Sequence, residues 1–118
     1  MQKNSINKVI LVGHLGAKPE GRYTPSGRPT LTFSMATNES WKKQDGEQVE
    51  HTEWHSVVVW DKLADFAQEY LYKGQLVSVE GKIQTRQWEN KEGVKVKTTE
   101  IVASSVTPLE WKREERIK

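Results

Sequence analysis

The sequence predicts an all-β barrel of five strands in Greek-key order, with one helix between the third and fourth strands. Three observations point there. Short apolar or alternating segments recur between stretches rich in glycine, proline, asparagine and aspartate. The apolar period lengthens to the helical 3.6 residues only once, near the middle of the chain. A chain of 118 residues fits one domain with a core of its own, and it contains no apolar run long enough to cross a membrane.

The elements follow in order. Asn7 to Gly13, NKVILVG, is an apolar run bounded by polar residues and glycine, and predicts the first strand. Gly16 to Gly27 holds two prolines and three glycines and is turn-rich, with a short strand around Arg22-Tyr23. Thr30 to Thr37 alternates, so that Leu31, Phe33 and Met35 point one way and the other face meets water. Trp41 to Val49, WKKQDGEQV, contains an Asp-Gly pair in a polar run and predicts a hairpin loop.

The next stretch, EHTEWHSVVVW, poses a choice. His51 and His55 lie four apart, which on a helix suggests a metal site. Three consecutive β-branched residues followed by tryptophan favour a strand instead, from His51 to Trp60. A strand rises roughly 3.3 Å per residue, so the two histidines stand about 13 Å apart. Zinc needs ligand nitrogens at about 2 Å, so no metal is expected there. The strand reading puts Trp54 and Trp60 on one face, with Ser56 and Val58 between them, and His55, Val57 and Val59 on the other.

From Lys62 to Tyr72, Leu63, Phe66, Ala67, Tyr70 and Leu71 mark an amphipathic helix, with Asp61 as N-cap and Lys73-Gly74 closing it. Gln75 to Trp88 is a long strand, bent or bulged at Gly81. Glu89 to Gly93 is a turn, and Val94 to Val102 the last strand. Residues 1–108 form the predicted domain; residues 109–118 form a short charged tail expected to fray. Strand, strand, strand, helix, strand, strand is the order of an OB-fold.

Composition limits the function. The net charge is only +2, from 18 basic and 16 acidic side chains, so any electrostatic site is a local patch. With no cysteine there is no disulfide and no thiol nucleophile, and the N-terminus has no secretory pattern. This fits a cytoplasmic protein. Nothing supplies a nucleophile elbow, a phosphate loop or paired catalytic carboxylates, so the sequence predicts neither an enzyme nor a bound cofactor.

The five tryptophans are the unusual feature. Trp41 precedes Lys42-Lys43; Trp54 and Trp60 share a strand face with Lys62 just beyond; Trp88 shares parity with Arg86. Indoles beside cations suit stacking of unpaired bases, with the cations on phosphates. The alternative for Trp54 and Trp60 is the core, which would push His55, Val57 and Val59 outside. For Trp41 and Trp88 the alternative is packing at a hairpin tip. Trp111 is given no role, and His14 and His51 are expected to be surface residues.

NKVILVGHLG, RYTPSG, ATNESW, TEWHSVVVW, KLADFAQEYLYKG and VEGKIQTRQW together resemble the bacterial single-stranded DNA-binding protein family, over about residues 5 to 106. The resemblance implies an OB-fold, a homotetramer, and binding of single-stranded DNA without strong sequence preference in replication, recombination and repair. It puts Trp41, Trp54 and Trp88 at base-stacking positions, and Trp60 where many members carry phenylalanine. Lys8, Arg22, Lys62, Lys73 and Arg86 stand at basic positions that follow the phosphates, with Lys42 and Lys43 beside Trp41, and His55 stands at a position buried between subunits. Ser56 occupies a position that is often arginine, and the loop from Trp41 to Trp54 is about one residue short. Members usually continue into a tail with an acidic, apolar tip that recruits replication and repair proteins. This sequence stops at EWKREERIK, so tail-dependent partners are not carried over. Two other readings, an OB-fold adaptor for a protein partner and a metal hydrolase, find less support in these residues.

Overall fold

In a computed structural model, which describes residues 3–111, the chain runs β1 (Val9–Leu15), β2 (Glu20–Tyr23), β3 (Pro29–Lys42), β4 (Gln48–Trp60), α1 (Lys62–Tyr70), β5 (Leu76–Glu89) and β6 (Lys95–Pro108). Neighbouring strands follow the order β1-β5-β6-β4-β3-β2, and a further β1–β3 pairing closes β1, β5, β6, β4 and β3 into a barrel. The short β2 adds to the edge of β3, so the five long strands and the intervening helix are the OB-fold arrangement.

Three turns of one kind set most of the register. Residues 24–28, 43–47 and 90–94 each form a loop whose first residue donates its N–H to the fifth residue's carbonyl, at 2.9, 2.9 and 3.0 Å. In each, the fourth residue is a glycine with positive φ: Gly27 at 88°, Gly46 at 88° and Gly93 at 78°. This left-handed position is why a three-residue hairpin turn selects glycine. Counting equal steps out from Asp45 puts Lys42 opposite Gln48, Ala36 opposite Trp54 and Thr30 opposite Trp60. Counting out from Glu92 puts Trp88 opposite Val96 and Gln84 opposite Glu100.

Alternation then sorts the faces. Leu31, Phe33 and Met35 of β3, Val57 and Val59 of β4, Val77 and Val79 of β5, and Ile101, Ala103 and Val106 of β6 fill the interior. The switch from Val106 to Ala103 on β6 reflects the register shift beside Glu80/Gly81, at the expected bend. Closure depends on close backbone approach: a Cβ at Gly13 would collide with the Ala36 carbonyl, and one at Gly81 with the Val102 carbonyl. β4 and β6 meet in the sheet's parallel pairing, Val57 opposite Ile101 and Val58 opposite Val102. Ala64, Ala67 and Leu71 pack α1 and its end onto the core cluster.

Several predicted boundaries shift, each for a physical reason. β1 starts at Val9 because Asn7 uses its side chain instead: Nδ2 donates to the Ile83 carbonyl at 2.8 Å, and the Ile83 N–H donates to Oδ1 at 2.9 Å. The predicted loop from Trp41 to Val49 narrows to a turn at residues 43–47, while Trp41 and Lys42 belong to β3 and Gln48 and Val49 to β4. This ribbon projects beyond the buried core, so neither face needs apolar residues and the period-2 signal fades. β6 runs past Val102 to Pro108, because the irregularity opposite Glu80/Gly81 interrupts the alternation without ending the pairing.

Asp61 is not a side-chain cap. It makes no such bond and has φ 58°, because its carboxylate is committed to Arg28. The helix ends at Tyr70 with an extended Leu71, and Gly74 serves the following turn rather than the helix end, donating to the Leu15 carbonyl at 2.9 Å.

The start of the expected tail is docked. The Leu109 N–H donates to the Leu76 carbonyl at 2.8 Å, and the fully buried Gln75 donates Nε2 to the Glu110 carbonyl at 2.7 Å. Trp111 meets Tyr70 edge-on at 6.0 Å. Residues 112–118 of that tail lie outside the described residues. Among the described residues no helix is long and apolar enough to cross a membrane.

Candidate nucleic-acid interface

The outward residues of β3 and β4 are Thr30, Thr32, Ser34 and Ala36 opposite Trp60, Val58, Ser56 and Trp54. On the neighbouring β6 and β5 they are Val102 and Glu100 opposite Lys82 and Gln84, continuing to Arg86 and Trp88. These sides meet in a groove of about 660 Å³ across five strands, whose lining includes Lys18, Arg22, Val58, Trp60, Arg86 and Glu100. The shared face for Trp54 and Trp60 and the parity of Trp88 with Arg86, both read from alternation, are borne out.

Exposure separates the tryptophans. Trp54 is 59% exposed, Trp41 50% and Trp88 42%, whereas Trp60 is half-buried. Each has its own support. The benzenoid end of Trp54 rests against Gly16, where any Cβ would collide with it. Trp88 donates Nε1 to Thr98 Oγ1 at 2.8 Å, which ties down its polar edge while leaving much of the ring in water. Trp41 stands opposite Val49 near the ribbon tip, on the side that alternation makes opposite to Trp54; the twist of a two-stranded ribbon turns that side progressively away from its orientation at the barrel.

Trp60 has a cation over its ring, with Arg28 Cζ 4.3 Å from the centroid. The same guanidinium is held by Asp61, Nε donating to Oδ1 at 2.9 Å and Nη2 to Oδ2 at 3.0 Å. This hydrogen bond holds the Asp61 carboxyl below its ordinary pKa and raises that of Arg28.

The basic residues divide. Arg22 and Arg86 line the groove. Arg86 is oriented by the buried Glu100, with Nε donating to Oε1 at 3.0 Å. Lys62 opens α1 two residues beyond Trp60, and Lys73 lies in the turn that bonds to Leu15, at the end of β1 that also carries Gly16 and Trp54. Lys42 and Lys43 lie at the ribbon tip, Lys43 within 3.8 Å of Glu47. Lys8 lies elsewhere, 3.3 Å from Glu80 beside the β5–β6 irregularity.

His55, on the inward side of β4 opposite Met35, has Nε2 2.9 Å from Thr37 Oγ1. His14 and His51 are exposed, as expected, with His51 3.6 Å from Glu53. Among the described residues no group of three or more His, Cys, Asp or Glu side chains could hold a metal. Sequence reasoning missed Arg28, Lys18 and Glu100. The Arg28–Trp60 contact was within reach, because the Asp-Gly turn already fixes Thr30 opposite Trp60.

A closed five-stranded barrel with exposed indoles beside an arginine-lined groove on its β4 face defines an OB-fold of the aromatic-groove class. The chain belongs to the single-strand binding protein family, whose model matches residues 6–109. It is 46% identical over 110 residues to a single-stranded DNA-binding protein of Neisseria meningitidis, covering 93% of this chain and 63% of the relative. It is 49% identical over 105 residues to single-stranded DNA-binding protein 1 of Chlorobaculum tepidum, covering 88% and 65%. The chain thus spans just under two thirds of the length of these relatives. Its fold is similar to a Plasmodium falciparum SSB solved in complex with ssDNA, with TM-score 0.80 and 34% identity, covering 93% of this chain and all of that one. A deletion mutant of the Thermus aquaticus single-stranded DNA-binding protein gives TM-score 0.77 at 34% identity, covering 89% and 51%.

Proposed function

We propose that this chain binds single-stranded DNA without strong sequence preference, stacking bases on Trp54, Trp60, Trp88 and Trp41 while Arg22, Arg86, Lys62, Lys73, Lys42 and Lys43 meet phosphates. The observation that carries the reading is the pair of exposed indoles, Trp54 and Trp88, on the same outward side of the barrel as the groove with Arg22 and Arg86. Every base has a π-face, so such a surface takes any sequence. Duplex DNA hides those faces in its own stack and competes poorly. Family membership and the ssDNA complex of the Plasmodium falciparum relative support the same reading. Protection of single strands in replication, recombination and repair is the corresponding role, in the cytoplasm.

Self-association is part of the proposal, as a homotetramer. β1 meets β3 only at His14 and Leu15, so among the described residues its edge from Val9 to Gly13 has no second strand, and Ile10 and Val12 stand exposed beside it. An open edge with exposed apolar residues suits pairing with a second copy. His55 is assigned to a subunit interface, on the β4 side opposite Trp54.

The test is a titration with dT oligonucleotides of increasing length, read by tryptophan fluorescence and accompanied by a light-scattering mass. Quenching that saturates, weakens with salt and resists duplex competition is expected. No quenching at low salt would sink the DNA reading, and a mass of 13.6 kDa would sink the oligomer.

A further inference from the structure

Trp60 differs from the other groove aromatics in already having a partner on its ring. Arg28 stacks there at 4.3 Å and is gripped by Asp61 through two parallel bonds, at 2.9 and 3.0 Å. The three meet because Thr30 pairs with Trp60 and the Asp61 N–H donates to the Pro29 carbonyl at 3.0 Å, which places Arg28 and Asp61 just beyond the last strand pair. Asp61 adopts φ 58°, a region that suits glycine better than aspartate, and it stands at a helix start that its carboxylate does not cap. Both partners are more than half exposed, so the ion pair alone adds little to folding. An aspartate that accepts backbone strain and gives up its cap, in exchange for a weak surface pair, is explained better by what that pair does to Trp60.

We infer, on the basis of the single-strand reading above, that Asp61 fixes Arg28 as a backing on one side of Trp60, so that a base completes a guanidinium–indole–base stack from the groove side. Arg28 is then a positioning residue and not a phosphate contact. Its charge is already matched by Asp61, so its contribution to binding releases no counterion and does not change with salt. The planar fork suits both tasks at once, which a lysine ammonium cannot do. With the indole held in place before binding, less side-chain freedom is lost when the base arrives.

The test uses the full chain and a dT oligonucleotide at several salt concentrations. Arg28→Gln is expected to weaken binding about three-fold at every salt concentration, with the slope of log K against log salt unchanged. Arg28→Lys does not restore the wild-type value, and the Arg28→Gln effect disappears in a Trp60→Ala background. In the free protein, Arg28→Gln and Asp61→Gly both move the Trp60 indole N–H resonance while the thermal unfolding profile is retained. A slope that falls by about 0.7 in Arg28→Gln and is restored by Arg28→Lys makes Arg28 a phosphate contact and overturns the inference. So does an Arg28→Gln effect that persists without Trp60, or variants that match the wild type throughout. Failure of the wild-type protein to bind dT at all strikes the single-strand reading instead, and is recognised before any variant is compared.

Discussion

Replacing Trp54 by alanine perturbs the proposed stacking surface with little else changed. The ring is 59% exposed in the free protein, and its covered end touches Gly16 rather than the core. Truncation therefore costs about 1 kcal/mol of folding stability at most, in the range of ordinary surface changes. Loss of a stacked base costs about 1–3 kcal/mol. With its benzenoid end against Gly16, Trp54 presents only part of its surface, which points to the lower half of that range, about 1–2 kcal/mol or five- to thirty-fold in Kd. An indole carries no charge, so the salt slope stays the same. Lys62→Ala gives the opposite pattern, a slope shallower by about 0.7 and a small change in affinity at moderate salt. The assay is titration of dT oligonucleotide at four or five salt concentrations for both variants. Wild-type affinity in Trp54→Ala, or a loss confined to the slope, refutes the assignment of Trp54 to base stacking.

Other outcomes follow from the same geometry. Gly16→Ala drives a methyl group into the Trp54 ring; ssDNA affinity should fall toward that of Trp54→Ala, with a changed near-UV circular dichroism signal and intact far-UV signal. Arg86→Ala leaves the buried Glu100 carboxylate without its partner, lowering stability by about 1–3 kcal/mol as well as affinity. Adding Glu100→Gln should recover stability in urea unfolding but not DNA binding. Gly13→Ala forces a methyl group against the Ala36 carbonyl at the β1–β3 seam and should destabilise by about 1–3 kcal/mol, read from the urea midpoint. The Arg28 hydrogen bond lowers the Asp61 pKa, so the pair is fully formed above the ordinary carboxylate range and is lost only as pH falls through the lowered value. The Trp60 indole resonance should accordingly hold steady from neutral pH through the ordinary carboxylate range and move only below it, as Asp61 takes up its proton, and Asp61→Asn should abolish that movement.

Where sequence and structure agree, a strong local signal coincides with a demand of the core. Leu31, Phe33 and Met35 alternate because only one side of β3 is buried, and Val57 and Val59 place His55 and the tryptophans by parity. The helix is visible in its apolar spacing, and the bend at Gly81 in a glycine within a strand. Where the two differ, the deciding contacts are polar or distant in sequence. The hairpin ribbons carry no hydrophobic period because water covers both sides, so Trp41 read as loop. The Asp61 cap failed because its carboxylate goes to Arg28, 33 residues away. The docking of Glu110 depends on the buried Gln75 side chain, an interaction without any local pattern.

The candidate site divides in the same way. Trp54, Trp60, Arg86 and Trp88 share the outward side that parity assigns to them, and Arg22 joins two of them in the groove lining. Lys8 pairs with Glu80 and is not part of the groove lining, although it shares a neighbouring hollow with Lys82 and Val102, and nothing in its local sequence distinguishes it from a groove lysine. Glu100 shows how little the whole-chain charge says about a local surface. A buried acid lies within the groove, yet it aims Arg86 there.

Binding of a dT oligonucleotide compared with an abasic strand of equal length and equal phosphate number, at one low salt concentration, separates bases from backbone most directly. If indoles on the β4–β5 side hold unpaired bases, the abasic strand binds at least about ten-fold more weakly and leaves tryptophan emission nearly unquenched. Equal affinity for the two strands would mean that phosphate attraction alone does the binding, and that the exposed rings do not hold bases.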